Sequence, residues 1–118
     1  MTESAPFKPT VSKDLLDRID VRVGTIRAVE DVPGSSKLAR LTVDVGGRML
    51  KILAAIRRER ANLQELAGRQ ALFVVNLEPR RMAGEVSEGM LFDLGYADGI
   101  TPVLAVPESP VPDGTRAG

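Results

Sequence analysis

Cysteine and histidine are both absent from the 118 residues. No disulfide and no thiolate or imidazole ligand is available, so the usual zinc donor sets are excluded and neither a metal nor another cofactor is expected. The same absences leave general-base and nucleophile roles to Asp, Glu, Ser or Lys, and no spacing pairs them, which points away from an enzyme. Aromatic residues are few: Phe7, Phe73, Phe92 and Tyr96. Long apolar runs are also missing. Nothing approaches the ~20 residues of a membrane span, and Met1 to Pro9 has no run of signal-peptide length, so the expected address is cytoplasmic. There is no excess of charge of either sign, with 16 Lys+Arg against 16 Asp+Glu.

What remains is an apolar share of 43% made mostly of Val, Leu, Ile and Ala, enough for one core and one domain. The charges are unevenly placed. Between Arg57 and Gly84 the cations Arg57, Arg58, Arg60, Arg69, Arg80 and Arg81 outnumber Glu59, Glu65 and Glu78, whereas from Glu85 onward acidic residues dominate. A dipolar surface and a local anion-binding face both fit this distribution.

Residues 1 to 11 read as an arm with Pro6 and Pro9, and the domain is expected to occupy 15 to 118 after an N-terminal segment 1 to 14. Ser12 is an N-cap candidate for a short helix over 13 to 18, with Leu15, Leu16 and Ile19 on one face. DVRVGTIRAV, Asp20 to Val29, alternates and changes phase at Gly24, which predicts a strand with a central bulge. Leu41, Val43 and Val45 alternate up to Gly46 and Gly47, and the chain returns through Met49 to Leu53 as a hairpin. Ile56, Leu63 and Leu66 predict a helix or helical turn, stopped at Gly68. The apolar run Ala71 to Val75 predicts a buried strand, and 90 to 94 and 100 to 106 predict two more. The order strand, strand, strand, helix, strand, strand predicts an all-β protein: a five-stranded OB-fold barrel with short helices.

The segment NLEPRRMAGEVSEGML, Asn76 to Leu91, is polar, cationic and punctuated by glycine, yet lies between two apolar strands. It reads as a loop in which Arg80 and Arg81 place two guanidinium groups side by side, suited to bidentate phosphate contact. Ser87 can add a hydroxyl and Gly89 permits close backbone approach. A solvated loop with a charged tip and a buried Met82 is the alternative.

DVRVGTI, SSKL (Ser35 to Leu38), VDVG (Val43 to Gly46) and above all NLEPRRMAGEVSEGML resemble the tRNA-binding domain family, over residues 15 to 118 and including the closing PVPDGT. That family includes C-terminal domains of methionyl-tRNA synthetases, free-standing tRNA-binding proteins and the CsaA export chaperones. The resemblance implies a binding loop at Asn76, Arg81, Met82, Ser87, Gly89 and Met90, with Arg80 as a second cation and with Arg22 and Lys37 as further basic positions. It also implies that tRNA is the partner, that its body is read by shape, and that the protein is a homodimer. An aminoacyl-tRNA synthetase is a further candidate partner. A CsaA-like peptide-binding export chaperone is the alternative function, but this chain has ILAAI (Ile52 to Ile56) where that branch has a Ser-Ser-Ala stretch, and so resembles the tRNA-binding branch more closely.

Overall fold

The computed structural model describes residues 4–57 and 60–118. Arg58 and Glu59, counted above in the basic stretch, and the first three residues of the arm lie outside them. Helix α1 (Lys13–Asp17) starts where expected, with Ser12 Oγ accepting from Leu15 N at 3.3 Å. It buries none of its residues.

Five strands form one antiparallel sheet in the order β3-β2-β1-β4-β7. They are β1 (Val21–Asp31), β2 (Ala39–Asp44), β3 (Met49–Ala54), β4 (Gln70–Val74) and β7 (Met90–Leu91). Strand β1 is long enough to serve two neighbours: Val21 to Thr25 pair with β4, and Thr25 to Asp31 pair with β2. Its register shifts between Ile26 and Ala28, so the bulge falls at Arg27, three residues beyond the phase change at Gly24. Strand β2 alternates strictly, with Ala39, Leu41 and Val43 buried between more exposed Arg40, Thr42 and Asp44. This is the pattern of a sheet with one wet face.

The sheet curls until β3 approaches the segment that leads into β7, giving a nearly closed barrel of the OB type. Glu88 N donates to Lys51 O at 2.8 Å, Lys51 N donates to Glu88 Oε1 at 2.8 Å, and Leu53 N donates to Ser87 Oγ at 3.0 Å. Two side-chain oxygens therefore occupy the places of strand carbonyls, and the Lys51 and Leu53 amides of edge strand β3 are satisfied. Inside the barrel Ile26, Leu41, Val43, Leu50, Ile52, Leu66 and Phe73 are fully buried. Phe73 is the one aromatic of this core, as the aliphatic composition requires.

Between β3 and β4 only a short 3₁₀ turn, Leu63–Leu66, is helical, capped by Asn62 Oδ1. It seals the barrel with Leu66. The strands expected near 90 to 94 and 100 to 106 are shorter: beyond β7, β8 (Asp93–Leu94) pairs with β9 (Val103–Leu104) in a separate ribbon. The chain then returns along the free side of β1, where Gly114 N donates to Val23 O, Val23 N to Thr115 O and Ala117 N to Val21 O. No helix among the described residues is long and apolar enough to cross a membrane.

Candidate nucleic-acid interface

The segment between β4 and β7 is not an open loop. Strand β5 (Arg80–Met82) and strand β6 (Glu85–Ser87) form a hairpin that pairs Arg80 with Ser87, Arg81 with Val86, and Met82 with Glu85. Ala83 and Gly84 join them, both at positive φ, 50° and 79°, as a two-residue primed turn requires. Holding Ala83 there costs about 1–2 kcal/mol, so contacts elsewhere must secure the hairpin. Arg40, on β2, grips Glu85 with Nε to Oε1 and Nη2 to Oε2, both at 2.7 Å. Ser87, buried, accepts from Leu53 N and donates through Oγ to Gly89 O at 3.0 Å. Met82 packs on Val32, Leu38 and Leu53, a small cluster separate from the barrel core. The hydrogen bonds from Arg40 hold the Glu85 carboxyl below the ordinary carboxylate range, against an opposing push from desolvation.

Strand alternation then separates the two arginines. Arg80, Met82 and Ser87 face a groove, whereas Arg81 lies with Val86 on the opposite face of the hairpin. The guanidinium groups are adjacent in sequence and not side by side. The groove has a volume of about 450 Å³ and is lined by Leu53, Leu77, Glu78, Arg80, Met82, Ser87, Gly89 and Met90. Gly89 forms its base for a steric reason: a Cβ there would lie 2.7 Å from Val74 O and 3.2 Å from Ile52 Cδ1. Of the nine residues singled out in the sequence, five therefore surround one groove. Lys37 is exposed and does not line that groove, although its neighbour Leu38 packs in the same cluster as Met82.

Arg22 and Asn76 are placed elsewhere, and Asp20 joins them. Asn76 Oδ1 accepts from Asp20 N at 2.8 Å, and Asn76 Nδ2 donates to Arg18 O at 2.7 Å. Arg22 donates to both Asp20 carboxylate oxygens, Nε at 2.8 Å and Nη2 at 3.2 Å, and through Nη1 to Gly114 O at 3.2 Å. The hydrogen bonds and charge of Asp20 raise the pKa of Arg22. Both side chains thus fasten α1, β1 and the C-terminal segment together. Sequence reasoning missed Asp20, although Asp and Arg two apart on a strand share a face. It also missed the Arg40–Glu85 pair, whose members stand 45 residues apart with no local signal.

The described cations are engaged to different degrees. Arg22, Arg27, Arg40 and Arg57 each pair with a carboxylate. Arg80, Arg81 and Lys37 have no ion pair among the described residues, and neither have Lys8, Arg18, Arg48, Arg60, Arg69 and Arg116. No cluster there of three or more acidic side chains offers a metal site.

A family model described as "Putative tRNA binding domain" matches residues 21–116. The chain belongs to this tRNA-binding domain family. Among solved structures the domain is similar to a MetRS related protein from Pyrococcus horikoshii, with 28% identity and a TM-score of 0.85 over 94% of this chain and 100% of that one. It is similar also to the chaperone CsaA of Bacillus anthracis str. Ames, with 30% identity and a TM-score of 0.79 over 93% of this chain and 100% of that one. A methionine–tRNA ligase from Chlorobium luteolum is 44% identical over 85 residues, which is 72% of this chain but 12% of the ligase. The tRNA-binding domain thus spans a small part of that enzyme's length.

Proposed function

We propose that the protein binds folded tRNA without catalysing a reaction, using the β5–β6 hairpin as its principal phosphate contact. The observation that carries this reading is the pinned hairpin of the family's binding segment: Arg80 and Arg81 are exposed on it with no carboxylate partner among the described residues. Pinning by Arg40 and Ser87 lowers the ordering cost of binding. Asn76, Arg22, Ser87 and Gly89 act by shaping the support, while Met82 and Met90 line the groove. With so few aromatic residues, contact with phosphate and ribose outweighs base stacking, and selectivity comes from the spacing of cations on a folded RNA. Similarity to a segment of methionine–tRNA ligase supports a role beside a synthetase acting on the same tRNA.

The test is fluorescence anisotropy with labelled tRNA across a salt series. Three or four phosphate contacts give a log-log slope of about −2 to −4. Arg80→Ala with Arg81→Ala should reduce that magnitude by roughly 1–2 and lower affinity, with the melting temperature nearly unchanged and Arg116→Ala near wild type. An unchanged slope in the double variant would remove the hairpin from the interface.

A second reading, a peptide-binding chaperone, draws on the apolar part of the groove and the similarity to CsaA. RNase-treated purification separates the two: an RNA binder loses absorbance at 260 nm and a peptide binder does not.

A symmetric homodimer belongs to the same proposal. Leu15, Leu16 and Ile19 are exposed around α1, and Leu94, Tyr96, Ile100 and Val103 around the β8–β9 ribbon. The arm reaches that ribbon through a hydrogen bond from Ala5 N to Asp98 Oδ1. Apolar patches of this kind mark association surfaces, and isologous pairing is the commonest arrangement. Light scattering at micromolar concentration should give twice the chain mass, and removal of residues 1 to 18 should weaken the pair.

A further inference from the structure

We propose that the groove between β3, the hairpin and β7 seats one unpaired nucleobase of the RNA, with the adjoining phosphate on Arg80 and amino donors of the base edge turned to Glu78. This inference rests on the tRNA-binding reading and names what that site takes beyond phosphate.

The lining sets three requirements. Leu53, Met82 and Met90 give apolar walls, Met90 being 42% exposed and accessible to a ligand. Arg80 supplies a positive charge and Glu78 a negative one, and neither has a partner among the described residues. The occupant that uses the whole lining combines an apolar body, an anionic group and hydrogen-bond donors. A nucleotide meets all three. An apolar peptide side chain would fill the walls but make no use of either charged group, both of which are exposed at the groove. The volume of about 450 Å³ falls within the ~300–1,000 Å³ typical of small-ligand clefts.

Bases are usually held on aromatic rings, and no ring lines this groove. The thioethers of Met82 and Met90 are the substitute, because polarizable sulfur makes favourable contacts with π systems. Glu78 adds a preference. Guanine, adenine and cytosine carry exocyclic amino donors, whereas uracil has none and offers a single N3–H flanked by two carbonyl acceptors, O2 and O4, that a carboxylate repels.

The two groove methionines make the test direct. The full chain, labelled with ¹³C at methionine methyls, is titrated with the trinucleotides UGU and UUU, with the same strand abasic at its centre, and with a soluble apolar peptide. Met49, at the far end of β3 from Leu53, is the internal control. The expected result is that Met82 and Met90 signals move with UGU, that UUU binds roughly fivefold or more weakly, that the abasic strand leaves them in place, and that Glu78→Gln narrows the UGU–UUU difference. Equal movement with the abasic strand would overturn the base seat in favour of phosphate contact alone. Movement with the peptide only would overturn it in favour of a peptide groove. Stationary signals while labelled tRNA binds the same sample would overturn the seat and leave the tRNA reading intact. Failure of both would overturn the two together.

Discussion

The arginines at the start of β1 and those of β5 sit in opposite electrostatic situations. Around β1, Arg22 is held by Asp20 and by Gly114 O, and Arg27 lies between Asp44 and Asp113. On the hairpin, the arginine–carboxylate pair is formed by Arg40 and Glu85, leaving Arg80 and Arg81 unpaired among the described residues. A cation already neutralised must give up its partner before it can meet a phosphate, so it gains little from the exchange. A protein of zero net charge can thus present a cationic site, provided its acidic residues are spent on structural arginines. The count of basic residues says less about binding than their engagement does.

The largest effect should come from cutting the acidic anchor of the first region. Asp113 accepts from Thr25 Oγ1 at 2.6 Å, Gln70 Nε2 at 3.2 Å and Arg27 Nη2 at 3.1 Å. Asp113→Ala leaves the buried Thr25 hydroxyl without its acceptor and should cost about 1–3 kcal/mol in chemical denaturation. The tRNA affinity of the folded fraction should not change, and a fall would bring this region into the interface.

Single substitutions sharpen the contrast further. Arg81→Ala should reduce the salt slope by about 0.7–0.9, whereas Arg22→Ala should lower the melting temperature and leave the slope alone. If the two results were exchanged, the contrast between the two regions would be wrong. Arg80→Ala should resemble Arg81→Ala in slope but also weaken UGU and UUU alike, since only Arg80 faces the groove.

The smallest effect concerns acid. Because Arg40 depresses the pKa of Glu85 in the folded protein, the stability the pair contributes is complete above the ordinary carboxylate range and is lost as pH falls below it. Hydrogen exchange of the Glu85 to Ser87 amides should therefore accelerate, relative to that of the barrel core, on acidification through that range.

Much of the barrel is readable from local pattern. Strict alternation marks β2, Gly46 and Gly47 mark the turn into β3, Ser12 marks the start of α1, and the bounded run around Phe73 marks β4. The hairpin is not readable that way. Arg-Arg-Met and Glu-Val-Ser show no apolar period, and Ala83 before Gly84 is a poor signal for a primed turn, so the segment looks like a loop until its partners on β2 and β3 are in place. After Ile56 the expected helix or helical turn takes the shorter form, because the single turn Leu63–Leu66 suffices to bring Leu66 into the barrel. At the site, residue types were legible while their directions were not. Which arginine faces the groove depends on a pairing register fixed by Glu85 and Ser87, whose partners lie 45 and 34 residues away.

The C-terminal segment along β1 bears on the order in which the molecule can be completed. Arg22 and the carbonyl it holds are 92 residues apart. At the ribosome's pace of about 5–20 residues per second, the first half of β1 waits roughly five to twenty seconds for Gly114 and Thr115 to be made. During that interval Val21 and Val23 offer unpaired amides and carbonyls to any other nascent strand, a standing invitation to mispairing. The charged side chain between them, Arg22, already has Asp20 within reach from the moment both are synthesised. That early pair places charge on the waiting edge, a form of protection that acts long before the barrel has anything to bind.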